Sequence, residues 1–148
     1  MSLDVDVMTR GTRLPVSRAR MCAAAARVLR SERIRDALVS ITFLSTREIA
    51  RLNATHLRHA GPTDVISFGF NRATASDPVV GDIYICAAVA KENARSRKSP
   101  IREELIRLVV HGALHVLGHD HPDDDRERSP MWRRQERFVR RVMLRGRS

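Results

Sequence analysis

The sequence predicts an α+β fold, a small mixed sheet covered by helices, on three observations. Four short stretches, 3–7, 37–44, 64–70 and 81–86, alternate apolar and polar residues or run β-branched and apolar, as strands do. Longer segments around them repeat apolar residues at helical spacing, with strands in the middle and helices about them. Finally, 148 residues with only Cys22 and Cys86 suit a single domain over 1–148 that encloses a core without disulfides.

Taken in order, Leu3, Val5 and Val7 alternate with polar residues and predict a short edge strand. Residues 15–30, PVSRARMCAAAARVLR, predict a helix with Pro15 in its first turn and a stripe of Cys22, Ala25, Ala26 and Leu29. The run ALVSITFL at 37–44 predicts a buried strand. Ser45 and Glu48 form a capping-box pattern that opens a helix from Thr46 to about Leu57, broken by Ala60, Gly61 and Pro62. DVISFGF at 64–70 and GDIYIC at 81–86 predict two more strands, joined by a polar loop that either closes a hairpin or leads elsewhere. A helix over 87–97 follows. Ser99 and Pro100 predict the cap and first position of the next, which runs to Leu117 and stops at Gly118. Ser129 and Pro130 open the last helix, and the arginine-dense end after residue 144 is expected to fray.

Charge bounds the partner. Lys plus Arg number 27 against 17 Asp plus Glu, a formal net charge of +10. Such a field attracts polyanions, and arginine grips phosphate through paired hydrogen bonds, so RNA or DNA is the expected partner class. The competing reading is that the arginines merely solvate helix faces. One Trp, one Tyr and four Phe are too few for a base-stacking platform, which favours a grip on the backbone. The opening MSLDVDVMTR lacks the basic start and apolar block of a secretory leader, and no apolar run approaches the roughly 20 residues of a membrane span. A cytoplasmic protein with no membrane partner is expected.

The densest chemistry lies at 111–121, HGALHVLGHDH. On a helix, His111 and His115 lie one turn apart on one face, a two-pronged nitrogen clamp. Gly118 can end the helix in the left-handed conformation and turn His121 back toward them. Three imidazoles leave one tetrahedral position for water, the zincin-like arrangement of a catalytic centre on a long helix and the turn after it. Bound there, a metal would lower the pKa of water toward about 7 and polarise the bond attacked. Imidazole suits zinc, nickel, copper and iron alike. His119 reads as a solvent-exposed loop residue rather than a fourth ligand, and Asp120 as a support for a ligand from behind. The same spacing occurs in zinc proteases, but their glutamate after the first histidine is Gly112 here, so peptide hydrolysis lacks its proton acceptor and ranks second.

HGALHVLGHDH resembles the HGxLHLxGYDH signature of the YbeY family, bacterial endoribonucleases of ribosomal RNA maturation, including the glycine after the first histidine. Leu52 and Asn53, Arg58, and PTDVISF at 62–68 resemble the family's LN…R…PTDVLSF segment, GDI at 81–83 its GDI strand, and Met131 with Glu136 its M…E helix. The resemblance covers most of the chain beyond about residue 45. It implies a single-strand-specific endoribonuclease of rRNA processing and ribosome quality control, with one Zn²⁺ per chain on His111, His115 and His121. His115 and Arg58 would be catalytic, Arg58 as the clamp on the scissile phosphate. Asp64 would lie near the site, RNA and the ribosome or a ribosomal protein would be the partners, and no small-molecule cofactor is implied. Val116 and His119 depart from the family's leucine and tyrosine, which puts the site wall and the metal preference in question. A different class remains open: a ribosome assembly factor that binds RNA around a structural metal.

Overall fold

The computed structural model describes residues 1–57, 60–120 and 126–145. The chain runs β1 (Leu3–Met8), α1 (Arg18–Ser31), β2 (Ala37–Phe43), α2 (Thr46–Leu52), β3 (Val65–Phe70), β4 (Val79–Ile85), α3 (Ala87–Arg97), α4 (Ile101–Val116) and α5 (Pro130–Arg145). The sheet order is β1-β2-β4-β3. β1 pairs parallel with β2 and β2 with β4, while β3 returns antiparallel along β4, so the loop after β3 closes a hairpin and the sheet is mixed.

Alternation aims one face of the sheet at the helices. Val39, Ile41 and Phe43 of β2 and Val79, Ile83 and Ile85 of β4 are buried with Val7 of β1. α4 lies over that face and touches α1, α3, α5, β3 and β4. Every residue of α4 from Glu104 to Leu114 is buried, which explains why its sequence is apolar nearly all round. The opposite face is covered only in part. Ile49 of α2 packs there on Ile66 and Cys86, but Leu38, Phe70 and Met8 remain 58, 57 and 53% exposed. The expected cover of helices is therefore one-sided.

Several element ends differ from expectation, for local reasons. α1 begins at Arg18, with Ser17 Oγ accepting from the Arg20 N–H at 3.1 Å, so Pro15 stands outside the helix. The capping box at Ser45 is present in both directions. α2 nevertheless stops at Leu52, where the chain widens into a π-helical turn, Asn53–Leu57. Ser99 does not cap α4. Its N–H is already spent closing α3, on the Ala94 carbonyl at 3.0 Å, with Lys98 left-handed at φ +55°. Pro100 becomes the N-cap residue, and Ser99 Oγ is buried with no hydrogen-bond partner among the described residues. Ser129 does cap α5, accepting from the Trp132 N–H at 3.1 Å. Among the described residues, no helix is long and apolar enough to cross a membrane.

Candidate metal centre

The last two turns of α4 carry His111 and His115 on one face, as their spacing predicts. Their ring centroids lie 4.6 Å apart with planes inclined at 65°. His111 is buried and His115 half-buried, so the pair opens outward from the core. Gly118 ends the helix as expected: at φ +95° it lets the His119 N–H reach the Leu114 carbonyl at 3.0 Å. His121 and Arg58 lie outside the described residues. Asn53 and Gly61, on either side of Arg58 in sequence, are joined by a 3.0 Å bond from Asn53 Nδ2 to the Gly61 carbonyl. Among the described residues, no group of three possible ligands gathers.

Gln135 of α5 is 1% exposed, and its amide joins His111 to a buried ion-pair network. Its Nε2 donates to Glu136 Oε2 at 3.0 Å, which leaves Oε1 to face His111 Nδ1 at 2.6 Å. Since Oε1 can only accept, Nδ1 carries a proton, and Nε2 is the ring nitrogen that a metal would take. Glu136 is gripped in turn by Arg107 of α4, with Nε and Nη2 each at 2.9 Å from a carboxylate oxygen, while Arg107 Nη1 reaches Glu104 at 2.8 Å. Burial is the largest single influence and would push the Glu136 carboxyl up, but the hydrogen bonds from Arg107 and Gln135 and the charges of Arg107 and Arg97 together outweigh it and hold the pKa below the ordinary 4.5. Burial likewise disfavours charge on Arg107, and its two carboxylate partners reverse the sign and raise its pKa.

Gly112 has a packing reason. A Cβ there would stand 2.6 Å from Cγ2 of Ile83, a side chain with no exposure, so α4 lies too close to β4 for any side chain at that position. The glutamate that a protease would need cannot be accommodated. Val116 shows the same closeness one turn on. Its methyl carbons sit where a Cβ of Gly81 would fall, at 2.5 and 2.7 Å, so the residue's role is contact with the sheet.

The remaining candidates have structural partners. His119 is not the solvent-exposed loop residue expected: its Nε2 hydrogen-bonds Glu32 at the end of α1, and Arg134 of α5 reaches the same carboxylate at 2.9 Å. Asp64 accepts from Asn93 of α3 at 2.9 Å and, through its carbonyl, from the Cys86 N–H, tying the start of β3 to α3. Met131 is buried in the core and Glu136 belongs to the Arg107 network.

The chain is similar in sequence and in fold to known proteins. A family profile described as Endoribonuclease YbeY matches residues 9–143. The endoribonuclease YbeY of Thermotoga petrophila is 35% identical over 109 residues, which are 74% of this chain and 70% of that protein. Its Thermotoga maritima counterpart is 34% identical over the same shares. The Alcanivorax borkumensis endoribonuclease YbeY is 39% identical over 92 residues, 59% of this chain and 53% of that protein. The solution structure of TM1509 from Thermotoga maritima superposes with a TM-score of 0.61 at 25% identity, covering 97% of this chain and 91% of that one.

Proposed function

The chain belongs to the family of the endoribonuclease YbeY, and from that premise we propose that it is a metal-dependent endoribonuclease of single-stranded RNA, acting in ribosomal RNA maturation as one hydrolase domain over 1–148. His111, His115 and His121 hold one Zn²⁺ in this reading, and Arg58 clamps the scissile phosphate and steadies the charge that grows on its oxygens. When bound, the metal supplies an activated water and polarises the phosphodiester. The cytoplasm is the compartment, and the ribosome or a ribosomal protein is the partner that presents the RNA.

The observation that carries the reading is the buried Gln135, which places the proton of His111 on Nδ1 and so turns Nε2 to a ligand beside His115. A metal-ligating histidine characteristically donates its other ring N–H to a fixed acceptor, which is the part Gln135 takes here. The residues fit a borderline metal with nitrogen ligands.

Cleavage of a ribosomal RNA fragment by zinc-loaded protein tests the proposal, with His115→Ala purified identically beside it. Cleavage by the wild type alone supports it. Equal cleavage in both exposes a contaminating ribonuclease, and no cleavage by either turns the reading toward an assembly factor. Arg58→Ala should keep its zinc and lose cleavage. Full activity in that variant removes Arg58 from the mechanism.

A further inference from the structure

Positive charge is unevenly placed. α5 has arginine at six positions from 133 to 145, and at the α-helical repeat all six fall within about 140° of its circumference, away from the buried Gln135 and Val139. α1 lies alongside. Between the two helices runs a groove of about 520 Å³, walled by Arg20, Arg27, Arg30 and Arg145 above a floor of small or short side chains that includes Ala24 and Val142. A second cleft of about 190 Å³, with Arg134, Arg137 and Arg141 on its walls, lies along the same helix. No carboxylate among the described residues lines either one.

This clustering is not structural pairing. Where the fold needs an arginine inside, it supplies carboxylates, as Glu104 and Glu136 do for Arg107, and of the cleft arginines on α5 Arg134 is the one held by a carboxylate, that of Glu32. Among the described residues, none forms an ion pair with Arg20, Arg27, Arg30, Arg137, Arg140 or Arg141. Burial, then the charges of Arg145 and Arg141, hold the Arg27 guanidinium below its ordinary pKa. Like charges gathered along one surface repel, and the arrangement is relieved by an anion with several charges in a row.

We propose that the α1/α5 groove, continued by the cleft that carries Arg141, is a phosphate-backbone track that holds RNA independently of sequence and apart from His111 and His115. The inference rests on the RNA reading above and adds a second contact surface to it. At about 1.5 Å per residue, the 16 residues of α5 extend about 24 Å, enough for several consecutive phosphates. An anionic membrane is the poorer occupant, because the apolar stripe of α5 is spent in the core and the exposed Leu144 alone is too little apolar surface to enter a bilayer.

Fluorescence anisotropy of a labelled ribosomal RNA fragment, titrated with the full chain across a salt series, tests this. Arg27→Gln/Arg141→Gln should weaken binding about tenfold and flatten the slope of log affinity against log salt by roughly 1.5, two contacts' worth. Arg27→Lys/Arg141→Lys should restore most of the slope. Arg13→Gln/Arg35→Gln removes the same charge from exposed loops and should cost less than about twofold. Equal losses in both glutamine pairs would reduce the effect to net charge and overturn the proposal, as would an unchanged slope in the groove pair. Vesicles of equal parts phosphatidylglycerol and phosphatidylcholine should not bind at concentrations that saturate RNA; binding as tight as RNA's would also overturn it. Cleavage followed in parallel separates the two readings. Groove-dependent binding without cleavage sinks the ribonuclease reading and supports the track, and cleavage with groove-independent binding does the reverse.

Discussion

The proton on His111 Nδ1 is set by a residue 24 positions away, because the Gln135 amide can meet both Glu136 and His111 in only one orientation. Gln135→Leu keeps the volume and removes the acceptor, leaving a buried N–H unmade. Zinc affinity, read by competition with a chromogenic chelator, should fall about 10- to 100-fold. Stability should fall by about 1–3 kcal/mol for the stranded donor. Unchanged zinc affinity would reduce Gln135 to packing. Gly112 is the other residue at which atoms decide the chemistry: Gly112→Ala presses a methyl on Ile83 and should destabilise by about 1–3 kcal/mol in denaturant titration. His111, His115 and Gly118 were legible in the sequence because helical spacing and a turn glycine are local signals. Gln135 was legible only as an anomaly, a polar residue in register with the buried Met131, Phe138 and Val139, and its partner could not be named without the packing of α5 on α4.

Between elements, the Glu104–Arg107–Glu136 network is what fixes α5 against α4 and so places Gln135. Breaking one partner of a buried ionic group strands the others. Arg107→Met should therefore cost about 3–5 kcal/mol, while the triple variant that adds Glu104→Gln and Glu136→Gln should recover most of it. Glu136 has a pKa lower folded than unfolded, so its share of stability is complete above about pH 4.5 and is lost as pH falls through the depressed folded value. The melting temperature should drop between about pH 5 and pH 3, and in Arg107→Met that acid limb should flatten. An identical acid limb in both proteins would show that the pair has no part in it. Element identities followed from periodicity, but ends did not. Ser99 looks like a cap for α4, yet the extended Pro100 takes the cap position and leaves Ser99 one residue too early, in the turn that closes α3. The π-helical turn after Leu52 likewise has no signature of its own, since it continues the helical pattern through Asn53, whose side chain is drawn to the Gly61 carbonyl.

For the whole molecule, the issue that separates an enzyme from an assembly factor with a structural metal is whether the fold depends on the ion. The main core joins α1, α4 and α5 to the sheet through buried aliphatic side chains such as Leu105, Val109, Leu114, Ile41 and Ile83. His111 is held at this core's margin by the Gln135 bond, a protein–protein contact that needs no ligand. Topology was open in the sequence, since nothing local says that β4 lies between β2 and β3, but the consequence for stability is direct: the central strand and central helix are packed by each other. Removing zinc should then take away only the binding free energy, about 2.7 kcal/mol at a hundredfold excess over the dissociation constant. In a chain of this length that is on the order of 5–10 °C in melting temperature, with the transition still cooperative. Calorimetry before and after chelation, paired with RNA cleavage, reads both quantities. A chelated protein that keeps its cooperative transition and loses cleavage carries a catalytic metal. One that loses the transition altogether needs the ion to fold, and the ribonuclease proposal would give way to the assembly factor.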